Sequence, residues 1–433
     1  MNNIYQKKTV ETSPAPAMPA EVLVSLGEIA ESAKEGLLAL AVGAGLQVMY
    51  AMMDADVTGL AGPKGKHDPD RDVVRHGHED GSVTLGGRRI AVRRPRVRTA
   101  DDSAEVAVPA YELFSSTEVL GRMAMERMLA GLSTRHYRHG LEPVGEPVAA
   151  TAAATSRSAV SRRFVAATER ALAELMAADL AQLDLVALMV DGVGFAEHLC
   201  VVALGIGIDG TKHPLALVEG STENATLVRD LLVGLRERGL DTTRPILAVL
   251  DGAKALAKAV REVFDKPMIQ RCQEHKIRNV RDRLPEKLRS LVQTRMRQAY
   301  HADSALAAEA KLTALAKELD KTYPGAAASL REGLQETLTV LRLGVPPTLA
   351  RTLRSTNPIE SMISICRTHA TNVKRWRDGQ MALRWCAAGM VEAAGQFRRV
   401  NGHLHLPKLR DALEHHFRET VTPARQNQTK TAA

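Results

Sequence analysis

The sequence predicts an α/β fold: a mixed five-stranded sheet carrying an all-helical insertion, preceded by a helical, basic N-terminal region. Three observations predict it. Two apolar runs, Leu185 to Val190 and Pro245 to Leu250, each lead into a carboxylate, Asp191 and Asp251, as expected of strands buried on both faces. A hairpin signal and then a helical segment lie between them, so the second run returns parallel to the first by a right-handed crossover. From Leu284 to Leu343 the leucine spacing becomes purely helical.

The chain has 433 residues, enough for two or three domains. Only 3% are aromatic, so aliphatic side chains and alanine must fill the cores. An excess of 58 Lys and Arg over 50 Asp and Glu favours a polyanionic partner, nucleic acid ahead of an acidic membrane. Four scattered cysteines make no disulfide framework and suit a reducing compartment. The N-terminus has no apolar core of a secretory signal, and the hydrophobic stretch Leu37 to Met53 is broken by Gly43, Gly45 and Gln47, which suits a buried helix. A cytoplasmic protein is expected.

Six regions follow. Residues 1–20 are a Pro- and Ala-rich leader expected to be disordered; 21–110 form a helical region with a basic β-hairpin; 111–180 form a helical, DNA-binding region. Residues 181–283 and 350–400 make the core sheet and its helices, 284–349 the helical insertion, and 401–433 a C-terminal helix with a polar tail, disordered from Thr420. In the second region Ser82 to Leu85, the turn Gly86-Gly87 and Arg88 to Val92 read as a hairpin. Arg88, Arg89, Arg93, Arg94, Arg96 and Arg98 crowd its second arm. Arginine runs are usually solvated faces, but six guanidinium groups this close repel one another unless an anion sits among them, which favours phosphate. A capped helix from Thr155 carries Arg157, Arg162 and Arg163, set on its exposed side and readable as a recognition helix or as a plain amphipathic one.

In the core, strands are expected at Leu185 to Asp191, Cys200 to Ile208, His213 to Val218, Pro245 to Asp251 and Pro267 to Arg271. Asp209-Gly210 turns the second into the third. Helices at Asn224 to Arg238, closed by Gly239, and at Lys254 to Phe264 complete the order βββαβαβ, the ribonuclease H-like pattern. In the insertion Leu312, Leu315 and Leu319 share a face, as do Leu330, Leu334 and Leu341. After Pro346-Pro347, Asn357 is placed to cap a helix with Pro358 at its first position and Glu360 in its first turn.

Cutting a phosphodiester requires a polarised nucleophile and a stabilised leaving oxygen, which two divalent ions roughly 3.5–4 Å apart supply. Asp191, Asp251 and Glu360, arriving from three elements, could hold two magnesium ions, with manganese as a substitute. Singly, each has an ordinary reading: Asp-Gly is turn chemistry, and Glu360 could close a capping box. Their conjunction favours the metal site.

The residues Val190-Asp191-Gly192, Val249 to Leu256, Gln270 to Val280 and Ser355 to Ser361 resemble the Mutator-type family of bacterial insertion-sequence transposases, as do Arg88 to Arg98, Glu126 to Arg135 and Lys374 to Gly379. Nearly the whole chain is covered. The resemblance implies an acidic-triad (DDE) transposase that binds the terminal inverted repeats of its element, nicks the ends to free a 3′-hydroxyl and joins it to another strand. It implies double-stranded DNA, element ends and target, as partner, a homo-oligomer on that DNA, no membrane, and a bacterial cytoplasmic protein that associates with the nucleoid. The family often has Asn three residues after its Glu; here that position is Ile363. Cys272 and His275 match a family Cys-x-x-His motif, and with no second pair of zinc ligands nearby a packing or hydrogen-bonding role supporting the sheet is favoured. Trp376 lies among Lys374, Arg375 and Arg377, a credible DNA contact, though tryptophan is more often a packing residue. Two other readings fit the residues: a nuclease or junction resolvase on the same core, and a non-catalytic, sequence-specific DNA-binding protein.

Overall fold

The computed structural model describes residues 36–66, 68, 70–141, 144–220 and 224–428. The leader 1–20, the part of the first expected helix before residue 36 and the last five residues of the tail lie outside the described residues. The chain divides into two compact units, the first running to Met128 and including Leu132–Phe164, the second comprising Leu129–Gly131 and everything from Val165.

In the first unit, α1 (Leu37–Ala61) packs against the long hairpin of β1 (Val73–Leu85) and β2 (Arg88–Thr99), which β3 (Glu105–Val106) extends. Gly86 and Gly87 both sit at positive φ, as a tight two-residue turn between twisted strands requires. Alternate hairpin residues Val83, Ile90, Val92 and Val97 face inward with Met49, Met53 and Val57, each buried side chain contributing about 1.5–3 kcal/mol. The short helices α2 (Pro109–Ser115), α3 (Glu118–Leu129) and α4 (Glu146–Thr151) follow, and then α5 (Arg157–Ala177).

The second unit holds the expected mixed five-stranded sheet. Its strands are β4 (Leu185–Phe195), β5 (His198–Gly207), β6 (Lys212–Gly220), β7 (Ile246–Leu250) and β8 (Pro267–Arg271), in the order β6-β5-β4-β7-β8. The first three are antiparallel, and β7 and β8 lie parallel to β4. Asn224 caps α6 (Ala225–Glu237) by accepting from Leu227 N–H at 2.8 Å, and Gly239 turns the chain beyond that helix at φ +92°. With α7 (Lys254–Val263) this helix covers one sheet face through Val228, Leu232, Leu235, Leu256 and Val260.

Beyond α8 (Gln273–Arg281), the insertion is all helical: α9 (Glu286–Tyr300), α10 (Ala305–Asp320), α11 (Pro324–Arg331), α12 (Leu334–Thr337), α13 (Thr339–Arg342) and α14 (Pro347–Leu353). Leu312, Leu315 and Leu319 are buried together as expected. Leu330, Leu334 and Leu341 do not share one helix: Gly333, at φ +59°, separates α11 from α12, and a second break at Leu338 begins α13, so the three reach the same core from three short helices. The chain closes with α15 (Asn357–His369), α16 (Gly379–Gly395) and α17 (Leu406–Gln428). That last helix runs past Thr420, where disorder was expected, because extending a formed helix avoids the cost of a new nucleus. No described helix is long and apolar enough to cross a membrane.

Candidate active site

Strand β4 does not stop at Asp191. It continues to Phe195 because β5 pairs along its whole length, with Asp191 opposite Val202. What stops nearby is the pairing with β7, whose last parallel pair is Met189 with Val249. Two residues further along each chain stands an aspartate, Asp191 within β4 and Asp251 directly after the end of β7, and the charge of Asp251 is felt at Asp191. Leu188, Val190, Ala248 and Leu250 belong to the core under α6 and α7, and alternation along β4 therefore sends Asp191 to the opposite face, with Asp251 directly following the last residue of β7. Asp191 Oδ1 accepts from Gly192 N–H, and Asp251 Oδ1 from Ala253 N–H, each at 2.8 Å.

Burial pushes the Asp191 carboxyl up to about 6; the Gly192 N–H opposes this, the charge of Asp251 adds to it, His275 opposes it and Glu360 adds to it. The field of both other acidic groups thus reaches Asp191.

Glu360 stands in the first turn of α15, whose cap is Thr356 and not Asn357; Asn357 is already helical, and Pro358 fits the first turn because no N–H is needed there. No capping box forms. The Glu360 carboxylate instead accepts from the Thr356 hydroxyl at 2.5 Å. Thr356 Oγ1 also lies 3.3 Å from Cys272 Sγ and 3.3 Å from His275 Nδ1, and that nitrogen is 3.7 Å from Glu360 Oε1. Cys272 caps α8, its sulfur accepting from the backbone N–H of His275 at 3.5 Å and of Thr356 at 3.4 Å. Burial alone would raise the thiol pKa; hydrogen bonds from His275 and Thr356 outweigh it and leave the thiol below its usual value. The bond to Cys272 raises His275, with burial opposing.

This corner is tied to its surroundings through the strand and helix that meet at Cys272. Cys272 N–H donates to Leu250 O at 2.7 Å, and Gln273 N–H to Arg354 O at 2.9 Å. Gln270 donates to Thr337 O at 3.0 Å and accepts from Val340 N–H at 2.8 Å, joining β8 to the insertion. Arg271 runs against Gly252, φ +112°, where a Cβ would fall 2.1 Å from Nε, and bonds Glu332 O at 3.1 Å. The fully buried Lys276 donates to Ser329 O at 2.6 Å and to Glu332 O at 2.5 Å near the end of α11, and burial pulls its pKa down to about 8.

The basic residues sort by their partners. In the first unit Arg94 pairs with Glu79 and, at 2.9 Å, with Glu105; Arg96 pairs with Glu105 at 2.8 Å and Glu79 at 3.3 Å; Arg98 pairs with Asp102 at 2.7 Å. The anions among these guanidinium groups are carboxylates of the chain itself. Arg88 donates to Gly86 O at 3.3 Å, Arg89 to Ser82 O at 2.7 Å and to Ser115 O, and Arg93 is exposed across from Asp80. Arg157 and Arg162 are exposed on α5, whereas Arg163 is half-buried and donates to Ala154 O at 2.5 Å, so it is not on the open face where periodicity set it. In the second unit Lys374, Arg375 and Arg377 are exposed on the irregular segment before α16, Arg377 beside Asp378 at 2.7 Å. Trp376 packs on Phe195 at 4.8 Å and edge-on to Trp385 at 6.3 Å, a packing role. Ile363 is buried.

Two residues at the site were not singled out from the sequence, Thr356 and Arg271. Thr356 was legible in principle, since a hydroxyl four residues before a helical Glu lies one turn away from it. Arg271 gave no such signal, as its partners are distant in sequence.

The family profile described as "Transposase, Mutator family" matches residues 24–400. The chain is 33% identical over 277 residues to the transposase for insertion sequence element IS6120 of Mycolicibacterium smegmatis, covering 61% of this chain and 84% of that one. It is 26% identical over 367 residues to the transposase for insertion sequence element ISRM5 of Rhizobium meliloti, covering 84% and 90%. With the transposase for insertion sequence element IS256 in transposon Tn4001 of Staphylococcus aureus it shares 26% identity over 308 residues, 67% and 74% of the two chains.

Proposed function

The chain belongs to the Mutator family of transposases, enzymes that cleave and join DNA, and from that premise we propose that it is an acidic-triad (DDE) transposase working through Asp191, Asp251 and Glu360 on a ribonuclease H-like core. The sheet order, three antiparallel strands followed by two parallel ones across the first, supports that core. The observation that supports the catalytic reading is that β4 and β7 run parallel up to Met189 and Val249, two residues before Asp191 and Asp251, with the charges of Asp251 and Glu360 both felt at Asp191.

The donor set fits a pair of magnesium ions, with manganese as a substitute: three carboxylates, one already disfavoured as an anion by burial and by its neighbours, gain from a cation among them. Such ions, when bound, polarise the attacking oxygen and stabilise the leaving one. The chain's own contribution is placement. The parallel pairing of β4 with β7 brings Asp191 and Asp251 toward the same end of neighbouring strands, Thr356 donates to Glu360 with His275 Nδ1 3.7 Å away, and the Gly192 and Ala253 N–H groups bond the two aspartates. The substrate is double-stranded DNA: the terminal inverted repeats of the chain's own insertion sequence are cut to expose a 3′-hydroxyl, which is joined to target DNA within a homo-oligomer that brings two ends together. Exposed Arg157, Arg162, Lys374 and Arg375 are the cations best placed for phosphates.

The test uses the full chain and a duplex carrying the element end. Asp191→Ala should keep its DNA affinity and lose magnesium-dependent cleavage and strand joining; full cleavage by this variant removes the reading. Cleavage by the unaltered chain without joining to a second duplex would make it a nuclease.

A further inference from the structure

We propose that Cys272, His275 and Glu360 form a second metal site, selective for a thiophilic divalent ion of the zinc class, which competes with the two aspartates' ions for the Glu360 carboxylate. The effect on cleavage rests on the reading above; the binding does not. Cys272 and His275 alone are two ligands, too few for zinc. Folding supplies a third: Sγ, an imidazole nitrogen and a carboxylate oxygen of these three residues all lie within 4.8 Å of one another. A tetrahedral zinc ion with bonds of 2.0–2.3 Å separates its ligands by roughly 3.3–3.7 Å. The His275 Nδ1 to Glu360 Oε1 distance of 3.7 Å is already at that edge length.

The chemistry of the three donors separates this site from its neighbour. Magnesium takes oxygen ligands, whereas thiolate with imidazole suits zinc, which also stands higher in the general order of divalent affinities. Cys272 has no exposed surface, and its sulfur already accepts two backbone N–H groups, an arrangement that favours the thiolate a metal requires. The His275 and Glu360 side chains are 21% and 38% exposed, so an ion and a water ligand can reach them from solvent. The Thr356 hydroxyl, which now donates to Glu360, would give way to the ion. One carboxylate then serves two sites, and filling one weakens the other.

The full-length, metal-free chain is titrated with cobalt(II), which reports thiolate ligation by an intense near-ultraviolet charge-transfer band and tetrahedral geometry by visible bands. The expected result is a cobalt–thiolate band that zinc abolishes and magnesium does not, lost in Cys272→Ser and in His275→Asn, which carries the test should the first variant not fold. Glu360→Gln should bind cobalt at least about tenfold more weakly. Asp251→Asn should keep the band. Zinc should inhibit magnesium-dependent cleavage, and Cys272→Ser should need at least about tenfold more zinc for the same fractional inhibition. No band in the unaltered chain, a band that survives in folded Cys272→Ser, or cobalt affinity indifferent to Glu360→Gln overturns the site. The two proposals fail separately: Asp251→Asn that still cleaves sinks the acidic triad and leaves the cobalt result standing, whereas a missing band leaves the triad untouched.

Discussion

The Thr356 hydroxyl donates to Glu360 Oε1 at 2.5 Å from the cap of the same helix, one turn away. A hydrogen bond to an ionised group contributes about 1.5–3 kcal/mol, so Thr356→Val should slow magnesium-dependent single-turnover cleavage by roughly 10- to 100-fold. DNA affinity should stay unchanged and Thr356→Ser should recover most of the rate. A valine variant that cleaves at the original rate would show that Glu360 needs no such support.

Metal-free stability should depend on Asp191. Its folded pKa, about 6, lies above the ordinary aspartate value of 3.8. Below the lower value the carboxyl is protonated folded and unfolded alike; as pH rises through the folded value the stability is lost, up to about 3 kcal/mol. Asp191→Asn should therefore stabilise the chelator-treated protein at pH 7.5 and do nothing at pH 3.5. Magnesium should raise the melting temperature of the original chain more than that of the variant. Denaturant curves with and without chelator decide it.

Gly252→Ala should cost about 2–4 kcal/mol, because the backbone at φ +112° disfavours a side chain and the new Cβ would meet Arg271 Nε at 2.1 Å. The displaced arginine would lose its bond to Glu332. Urea unfolding measures the loss; an unchanged midpoint would mean that Arg271 moves aside freely.

The arginines should divide into two groups. Arg94→Ala, with partners Glu79 and Glu105 inside the hairpin, should lower thermal stability more than DNA affinity. Replacing exposed Arg157 and Arg162 with Ala should weaken binding to any duplex and flatten its salt dependence by roughly one ion per residue, at constant melting temperature. Equal effects of both sets on salt dependence would contradict this division.

Much of the sheet was readable from the chain alone because its signals are local. Apolar runs bounded by Asp-Gly or Gly placed four of the five strands, a short apolar run after Pro267 placed the fifth, and Asn224 and Gly239 marked a helix at both ends. What escaped depends on partners far away in sequence. Asp191 reads as a strand end until β5 is known to pair beyond it, and the hairpin arginines read as phosphate ligands until Glu79 and Glu105 are found between them. Helix α15 begins one residue earlier than Asn357 suggests: Thr356 stands at the cap position, with its hydroxyl turned to Glu360, Cys272 and His275 instead of to a backbone N–H.

The placement of the helical insertion between Asp251 and Glu360 has a consequence for how the protein is made. Roughly a quarter of the chain must be translated after the second aspartate before the glutamate appears, and Glu360 meets Cys272 and His275 only once its helix has left the ribosome. Under the proposed chemistry, a nascent polypeptide that already carries its first unit and both aspartates is therefore still unable to cut DNA. A polypeptide interrupted within the insertion would remain in that harmless condition permanently.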